Sequence, residues 1–482
     1  MPDLTRRATL AAAALAPALR PGLAAAQPAP APIPPLPIPP LPIPPLPIPS
    51  APPAAARPLF GAGLWTLPNG LRIVHVEQRR APVVAQYLFV GAGAGDDPAG
   101  LSGTAHFLEH MMFKGSAHVP SGAYSQRIAR QGGNDNAFTS RDVTAYYAQV
   151  EASRLPMVAM LESDRLAAPL IPPEEVASEQ LVIIEERRQR TDVAPRARFQ
   201  EAFAAAMWGR QHWQGRPVIG WLDEMRAIDR DALVAFHTRH YAPGNCVLVV
   251  AGAVTEAEFR RIAEQEFGAA PGHPFSPRDR AQPPAAAPEA RIIRHEKVEE
   301  AVYATSWAAP SLTFGETRHA YPLEVLAHLL GSGPGSRLHK ALVQQGLAAW
   351  VGASGDADTY GVSDFSIQAA PRRGVAPERL ETALKAEIAK LLDQGVTEAE
   401  TTRSTRQLTA GALLALDGLG AAPRMIGGAL AIGLSLDTVE YWPAHINAVT
   451  ATEVTAAARA VLAANPIHTT GWLLPEGTEV PA

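Results

Sequence analysis

The stretch HFLEHMMFKGS, residues 106–116, sets two histidines and a glutamate within five positions. At about 100° per residue, a helix places His106, Glu109 and His110 on one side. The opposite side is apolar and is expected to enter a core, and it consists of Phe107, Leu108, Met111 and Met112. Histidines at i and i+4 can bind one Zn²⁺, and the glutamate between them is placed to take a proton from a water that the metal activates. The sequence therefore predicts half of a catalytic zinc site, in the reverse of the HExxH arrangement.

A third ligand must come from another element, because a catalytic zinc uses three protein ligands and keeps one position open. A carboxylate on a second helix is the natural candidate, and the helix predicted over EEVASEQLVIIEERRQR, residues 174–190, offers several. Glu179 and Glu186 are seven residues apart and share a face, whereas Glu185 points elsewhere. Spacing alone does not select one of them.

The elements around this motif predict an α+β fold. LWTLPNGLRIVHVEQ alternates around Asn69-Gly70 as a hairpin does, NAFTSRDVTAYYAQV is predicted as one strand, and helical patterns separate such strands. The pattern resumes after a segment rich in Pro and Ala, and the end of the chain echoes HYAPGNCVLVVAGAV in layout. We therefore expect two tandem homologous domains, residues 59–270 and 291–478, joined by a linker over 271–290. Each should be a mostly antiparallel sheet with helices packed on it.

The N-terminus is typical of an export signal. Residues 1–26 combine an early Arg6-Arg7 pair, an Ala/Leu stretch and small residues before Gln27. Residues 27–58 repeat the unit IPPLP and are predicted to be a polyproline II spacer, because proline fixes φ and removes amide donors. These features predict a periplasmic or secreted bacterial protein, exported by the Sec or the twin-arginine route.

Composition excludes several classes of protein. The 482 residues carry a net charge of −5 without a long basic run, so we expect no nucleic-acid partner. Beyond the N-terminal signal, no stretch is long and apolar enough for a membrane helix, so no membrane span is expected after signal cleavage. The one cysteine, Cys246, rules out an intramolecular disulfide and is expected to be a core thiol.

Four segments together resemble the pitrilysin-type (M16) inverted-motif zinc metallopeptidases, similar to the bacterial and mitochondrial processing peptidase subgroup. They are HFLEHMMFKGS, GGNDNAFTSRDVTAYY, ESDRL and EEVASEQLVIIEERRQR. The resemblance implies one Zn²⁺ held by His106, His110 and Glu186. It implies Glu109 as the general base and Glu179 as a supporting group. It also implies that Asn136, Ala137 and Phe138 form a strand that pairs with the substrate backbone, and an ordinary edge strand is the alternative.

The second half resembles the non-catalytic repeat of the family through GSGPGSRLHKALVQQGLAAW. Members that act as a single chain or a homodimer place an arginine and a tyrosine here, which bind the substrate and steady the developing oxyanion. This chain has Leu342 and Ala349 at those positions, and Arg337 nearby is expected to end or cap a helix. The metal half thus looks complete, whereas the half that stabilises the transition state looks missing.

The resemblance implies a zinc endopeptidase that cuts short or unfolded peptides, with a homologous zinc-less subunit as partner in a heterodimer, or else as a homodimer. A catalytically silent binding or assembly subunit is the alternative, although such subunits lose a motif residue and none is lost here. A proline-tethered structural module with incidental metal binding is a third interpretation.

Overall fold

The computed structural model describes residues 56–478, apart from 274, 276, 277, 279 and 417. The predicted export signal and all but the last three residues of the predicted Pro-rich linker lie outside these residues. Within the described part of the chain, no helix is long and apolar enough to cross a membrane. Cys246 is fully buried, as expected of a core thiol.

The strands form two sheets. The six strands of the first are β1 Gly63–Thr66, β2 Arg72–Glu77, β3 Val83–Val90, β4 Asn134–Thr139, β5 Thr144–Glu151 and β6 Cys246–Gly252. The five of the second are β7 Arg291–Glu296, β8 Val302–Ala309, β9 Ala348–Gly355, β10 Ser363–Pro371 and β11 His468–Pro475. The orders are β1-β2-β6-β3-β5-β4 and β7-β11-β8-β10-β9. All pairs are antiparallel except β2 with β6 and β7 with β11.

Helices pack on both sheets. Those that follow the strands of the first half are α1 Thr104–Met111, α2 Ala123–Arg130, α3 Leu155–Ala167, α4 Pro173–Arg187, α5 Pro195–Trp208, α6 Leu222–Met225, α7 Arg230–His240 and α8 Glu256–Phe267. The second half contains α9 Ala320–Gly331, α10 Pro377–Gln394, α11 Glu398–Ala415, α12 Ala421–Ala431, α13 Leu436–Glu440, α14 Trp442–Ala448 and α15 Ala451–Leu462. The predicted α+β class with two tandem units is confirmed.

The two halves repeat one topology. Without β1, the order of the first sheet is the order of the second, and in each the last strand inserts beside the first. In both halves, an asparagine side chain also stabilises the turn before the last strand. The Asn245 side chain donates to the carbonyls of Gly91 and His240, and the Asn465 side chain donates to those of Ala308 and Val461. The faint sequence echo between the two ends thus reflects a shared hydrogen-bonded turn.

Two hairpins of the first sheet can be compared with the sequence predictions: the first is confirmed and the second corrects one of them. Gly70 adopts φ +90°, which favours glycine, and the Asn69 side chain accepts from the Leu71 amide, so β1 and β2 pair as predicted. NAFTSRDVTAYYAQV, predicted as one strand, is instead β4 and β5 of a hairpin. The Ser140 hydroxyl accepts from the amides of Asp142 and Val143 and closes the turn between them.

One helix of the second half covers the first sheet. Helix α12 packs on β3 and β6, and a single apolar core contains residues of both halves. Gly427 permits this contact, because a Cβ there would lie 2.2 Å from the Phe89 ring. The first sheet therefore depends on a helix that lies about 170 residues further along the chain.

The segment predicted as a linker also holds the halves together. The Arg280 side chain forms ion pairs with Asp96, at 2.9 Å, and Asp142, and it donates to the Tyr360 carbonyl. Arg278 donates to the carbonyls of Gly91 and Ala431. The domain limits at 270 and 291 stay a prediction, but the described residues between them pack against both halves.

The α12 contact can be tested with two adjacent glycines. Gly427→Ala should destabilise the protein by about 1–3 kcal/mol, because the new methyl group overpacks against Phe89. Gly428→Ala should stabilise it by about 0.5–1 kcal/mol, because its Cβ meets no atom within 4 Å and alanine favours the helix. The thermal midpoint of each purified variant checks this, and equal midpoints would contradict the packing.

Candidate metal centre

Helix α1 begins at a fixed point. Gly103 precedes it with φ +94°, and the Asp97 carboxylate accepts from the amides of Gly103 and Ala105 at 2.7 and 2.8 Å. These bonds satisfy amides that the helix start would leave unpaired. Burial raises the pKa of Asp97 to about 7, and the two amide bonds oppose that shift. Asp97 thus sets the position from which the histidines project.

The two faces of α1 separate as the sequence predicts. The four apolar residues Phe107, Leu108, Met111 and Met112 are buried in the core of the first half. The His106 and Glu109 side chains are largely buried on the other face, and His110 is half-buried. Burial, together with the neighbouring His110, lowers the pKa of His106 to about 3. His106 is therefore neutral over the physiological range, as a metal ligand must be.

A buried arginine ties α4 to the start of α1. The Arg187 guanidinium binds both carboxylate oxygens of Glu201 at 2.8 and 2.9 Å and donates to the Gly220 carbonyl at 2.7 Å. Gly220 packs against the start of α1, since a Cβ at Gly220 would lie 2.2 Å from the Ser102 carbonyl oxygen. Because Arg187 adjoins Glu186, these bonds fix where Glu186 meets α1.

His106, His110 and Glu186 converge on one point. The Glu186 Oε2 atom lies 3.7 Å from His106 Nε2 and 3.4 Å from His110 Nε2, and the three donor atoms lie within 4.8 Å of one another. Ligands around a tetrahedral zinc, with bonds of about 2.0–2.2 Å, lie roughly 3.4 Å apart. Glu186 Oε2 is also buried without a hydrogen-bond partner. The residues therefore fit one divalent metal ion with nitrogen and oxygen ligands.

Glu179 lies behind this cluster. Its Oε1 is 2.8 Å from His110 Nδ1, and its Oε2 is 2.5 Å from the Lys114 ammonium. Burial alone would raise the pKa of Glu179, but the bonds to Lys114 and His110 hold it below its usual range. A carboxylate on Nδ1 orients the ring and leaves Nε2 to bind a metal. This contact is what the predicted supporting role requires.

Glu109 lies in the same cleft and is held by a residue that the sequence reasoning missed. The Thr139 hydroxyl donates to Glu109 Oε2 at 2.6 Å. Burial raises the pKa of Glu109, and the Thr139 bond opposes that shift only in part. A carboxyl whose pKa is moved toward neutrality suits a group that takes and returns a proton. Thr139 ends β4 and lies two residues beyond Ala137. Side chains two residues apart in a strand share a face, and this was the signal available in the sequence.

The cluster opens into a cleft of about 1070 Å³, and every residue that lines it lies between His106 and Ile219. The three residues predicted to contact substrate, Asn136, Ala137 and Phe138, all line it. They belong to β4, which is an edge strand and pairs only with β5 among the described strands. Its other edge is therefore open to an added strand.

Further cleft residues were not predicted, and helix periodicity was the signal that could have found some of them. Val182 and Arg190 lie four residues before and after Glu186, and Leu181 is the neighbour of Val182. Val218 and Ile219 come from the loop that Gly220 fixes, and no local sequence pattern marks them.

The second half contributes no lining residue to the cleft in the described part of the chain. Leu342 is fully buried in the core, Ala349 is exposed on the edge strand β9, and neither lines the cleft. The Arg337 guanidinium binds both oxygens of Glu400 at 2.6 and 2.7 Å and the Gly395 carbonyl. Arg337 thus has a structural role at the start of α11.

Two family models match the chain. Residues 72–219 match the family described as Insulinase (Peptidase family M16), and residues 227–408 match the Peptidase M16 inactive domain. The first match contains all eight residues predicted for the site.

Known proteins are similar over most of the chain. An uncharacterized zinc protease of Streptomyces coelicolor is 31% identical over 414 residues, which cover 83% of this chain and 87% of that protein. The mitochondrial-processing peptidase subunit beta of Lentinula edodes is 27% identical over 75% of this chain and 79% of its own. The crystal structure of a protease from Helicobacter pylori superposes with a TM-score of 0.77 at 23% identity, over 87% of this chain and all of that chain.

Substitution of two neighbouring glutamates tests the ligand set. Glu186→Ala should lower zinc affinity by more than the roughly 10–100-fold that loss of an outer partner costs, because it removes a ligand. Glu185→Ala should leave zinc affinity unchanged, because the Glu185 carboxylate binds Arg188 and Gln189 instead. Chelator competition followed by zinc analysis measures both. Retention of zinc by the first variant would refute the assignment of Glu186.

Proposed function

The chain belongs to the M16 family of peptidases, and from this premise we propose that it is a zinc-dependent endopeptidase that hydrolyses short or unfolded peptides. The convergence of His106, His110 and Glu186 beside Glu109 in one cleft supports this proposal most directly. We expect a cleft of about 1070 Å³ to accept an extended segment of peptide rather than a folded domain.

His106, His110 and Glu186 would hold the zinc ion, and Glu179 would keep His110 in the orientation that metal binding needs. When bound, zinc supplies Lewis acidity, which lowers the pKa of water and polarises the peptide carbonyl. Lys114 supports this arrangement indirectly, because its ion pair keeps the Glu179 carboxylate charged.

Glu109 would act as the general base and then as the general acid. Its carboxylate takes a proton from the attacking water and passes it to the leaving amine. The hydrogen bond from Thr139 to Oε2 fixes the carboxylate, so that Oε1 remains free for this transfer. Burial favours the protonated form, which the second step consumes.

The substrate would bind as an added strand along Asn136, Ala137 and Phe138. The open edge of β4 offers the backbone groups for such pairing. Thr139 ends this strand and holds Glu109, so a peptide that pairs with β4 is brought alongside the general base.

A homologous partner would supply what this chain lacks. The second half contributes no residue to the cleft as far as the structure describes it, and Leu342 and Ala349 replace the expected arginine and tyrosine. A zinc-less homologue that carries this pair would complete the site, and a homodimer is the alternative arrangement. One relative is itself named as a subunit. The N-terminal residues support export to the periplasm or the medium.

The role of Glu109 can be separated from metal binding. Glu109→Gln should reduce peptide turnover by about 10²–10⁴-fold, because an amide cannot take the proton. Zinc content should stay the same, because Glu109 is not a ligand. Cleavage of a quenched fluorescent peptide and zinc analysis on the same preparation test this, with chelated wild-type protein as the reference for zero activity. Unchanged turnover would refute the assigned base, and a wild-type protein that stays inactive together with its homologous subunit would favour the silent-subunit alternative.

A second experiment tests whether the chain needs a homologous partner for full activity. The purified chain should turn over peptides about 10²–10³-fold more slowly than its complex with the homologous subunit, because donors to the oxyanion are missing. Light scattering gives the oligomeric state, and peptide turnover is measured with and without the second subunit. Full activity of the chain alone, as a monomer or homodimer, would contradict this part of the proposal.

A further inference from the structure

Arg190 is a charged side chain in the metal cleft to which the proposed reaction assigns no role. It lies in the π-helical turn Arg188–Asp192 that continues α4. Val182, Glu186 and Arg190 follow one another at intervals of four residues, and all three line the cleft. One face of this helix therefore presents to the cleft an apolar side chain, a predicted metal ligand and a positively charged side chain, in that order.

Most of the Arg190 guanidinium remains available to a ligand. Its Nη1 atom lies 2.6 Å from Glu186 Oε1, and the side chain is 73% exposed. A guanidinium has five N–H donors in a planar fork, so one contact with Glu186 leaves donors for a second carboxylate.

The acidic groups of the cleft are already engaged. Glu185 accepts hydrogen bonds from Arg188 and Gln189, Glu109 accepts from Thr139, and Glu186 lies between the histidines and Arg190. Among the described residues that line the cleft, Arg190 is the sole lysine or arginine. An entering peptide thus meets paired carboxylates and one exposed cation.

Apolar side chains form part of the cleft wall near these charged groups. Leu181 and Val182 are exposed large hydrophobic residues, and Val218 and Ile219 line the same space. Apolar walls lower the local dielectric constant when a peptide displaces water, and a charge–charge contact is then stronger than on an open surface.

We propose that Arg190 is a specificity-determining residue that binds an acidic side chain of the peptide close to the bond that is cut. The proposal rests on the proposed function, since it names the substrate class of that same site. Four helical residues advance about 6 Å, and an extended peptide advances about 3.3 Å per residue, so the acidic residue lies within about two positions of the cleaved bond.

The test uses quenched fluorescent peptides that differ at one position. That position holds Glu, Gln or Lys and is moved over the two residues on either side of the cleaved bond. At the preferred position, the wild-type protein should cleave the Glu peptide with a kcat/KM about fivefold above that of the Gln peptide, and the Lys peptide should be the poorest. This advantage should shrink when ionic strength rises from about 0.05 to 0.5 M, because salt screens the contact.

Three variants locate the effect. Arg190→Gln should bring the Glu/Gln ratio to about one, and Arg190→Lys should retain part of the preference, because it keeps the charge without the fork. Arg226→Gln removes the same charge from an exposed position and should leave the ratio unchanged, because Arg226 does not line the cleft. Zinc is measured in every variant, and the ratio within one variant is independent of partial zinc loss.

An unchanged Glu/Gln ratio in Arg190→Gln would overturn the proposal. An equal fall for all three peptides leaves that ratio unchanged and would overturn the proposal too, because the role of Arg190 would then not depend on the peptide side chain. An equal loss of preference in Arg226→Gln would show that the preference comes from the overall charge of the protein, and it would refute the proposal likewise.

Binding separates this proposal from the proposed function. Fluorescence anisotropy measures Glu and Gln peptides on Glu109→Gln protein, with and without Arg190→Gln. If the Glu peptide binds preferentially through Arg190 but the wild-type protein cleaves no peptide, the role of Arg190 is supported and the proposed peptidase activity is refuted. If the wild-type protein cleaves peptides without any preference for Glu, the peptidase activity is supported and the role of Arg190 is refuted.

Discussion

The structure depends on the distance between two helices that are far apart in sequence. A metal site with ligands from α1 and α4 exists only if donor atoms from both meet within about 3–4 Å, and neither helix can enforce that by itself. The buried Arg187 guanidinium supplies the constraint. It binds Glu201 and the Gly220 carbonyl, and Gly220 abuts the start of α1. Arg187, the neighbour of Glu186 in sequence, thus fixes the position of Glu186. Each hydrogen bond of the charged Arg187 guanidinium contributes about 1.5–3 kcal/mol.

The sequence predicted what short-range periodicity encodes. The faces of α1 followed from the helix repeat alone, and the buried apolar residues agree with it. The choice of Glu186 over Glu185 and Glu179 needed a family spacing, because three glutamates on one helix look alike until the partner helix is in place. Thr139 and the Arg187 bridge were missed because each acts across 30 or 33 residues. The turn at Ser140 was missed because polar residues continued the strand alternation.

The relation between the halves shows a second limit of sequence reasoning. A segment rich in Pro and Ala between two similar patterns predicts two domains with a passive linker. The described residues of that segment include arginines that contact both halves, and α12 of the second half covers β3 and β6 of the first. Similar topology therefore does not imply separate stability, because one of the apolar clusters contains residues of both repeated units.

The insertion of each last strand beside the first has a consequence for the order of folding. Strand β2 pairs with β6, about 175 residues later, and β7 pairs with β11 across a similar distance. Contacts of such high sequence separation close large loops and form late. The first sheet cannot be completed until residue 252 has been synthesised, and its outer face stays uncovered until α12 follows. The apolar face of the first sheet that α12 covers therefore stays exposed through most of the synthesis of the chain, and during that time it is prone to aggregation.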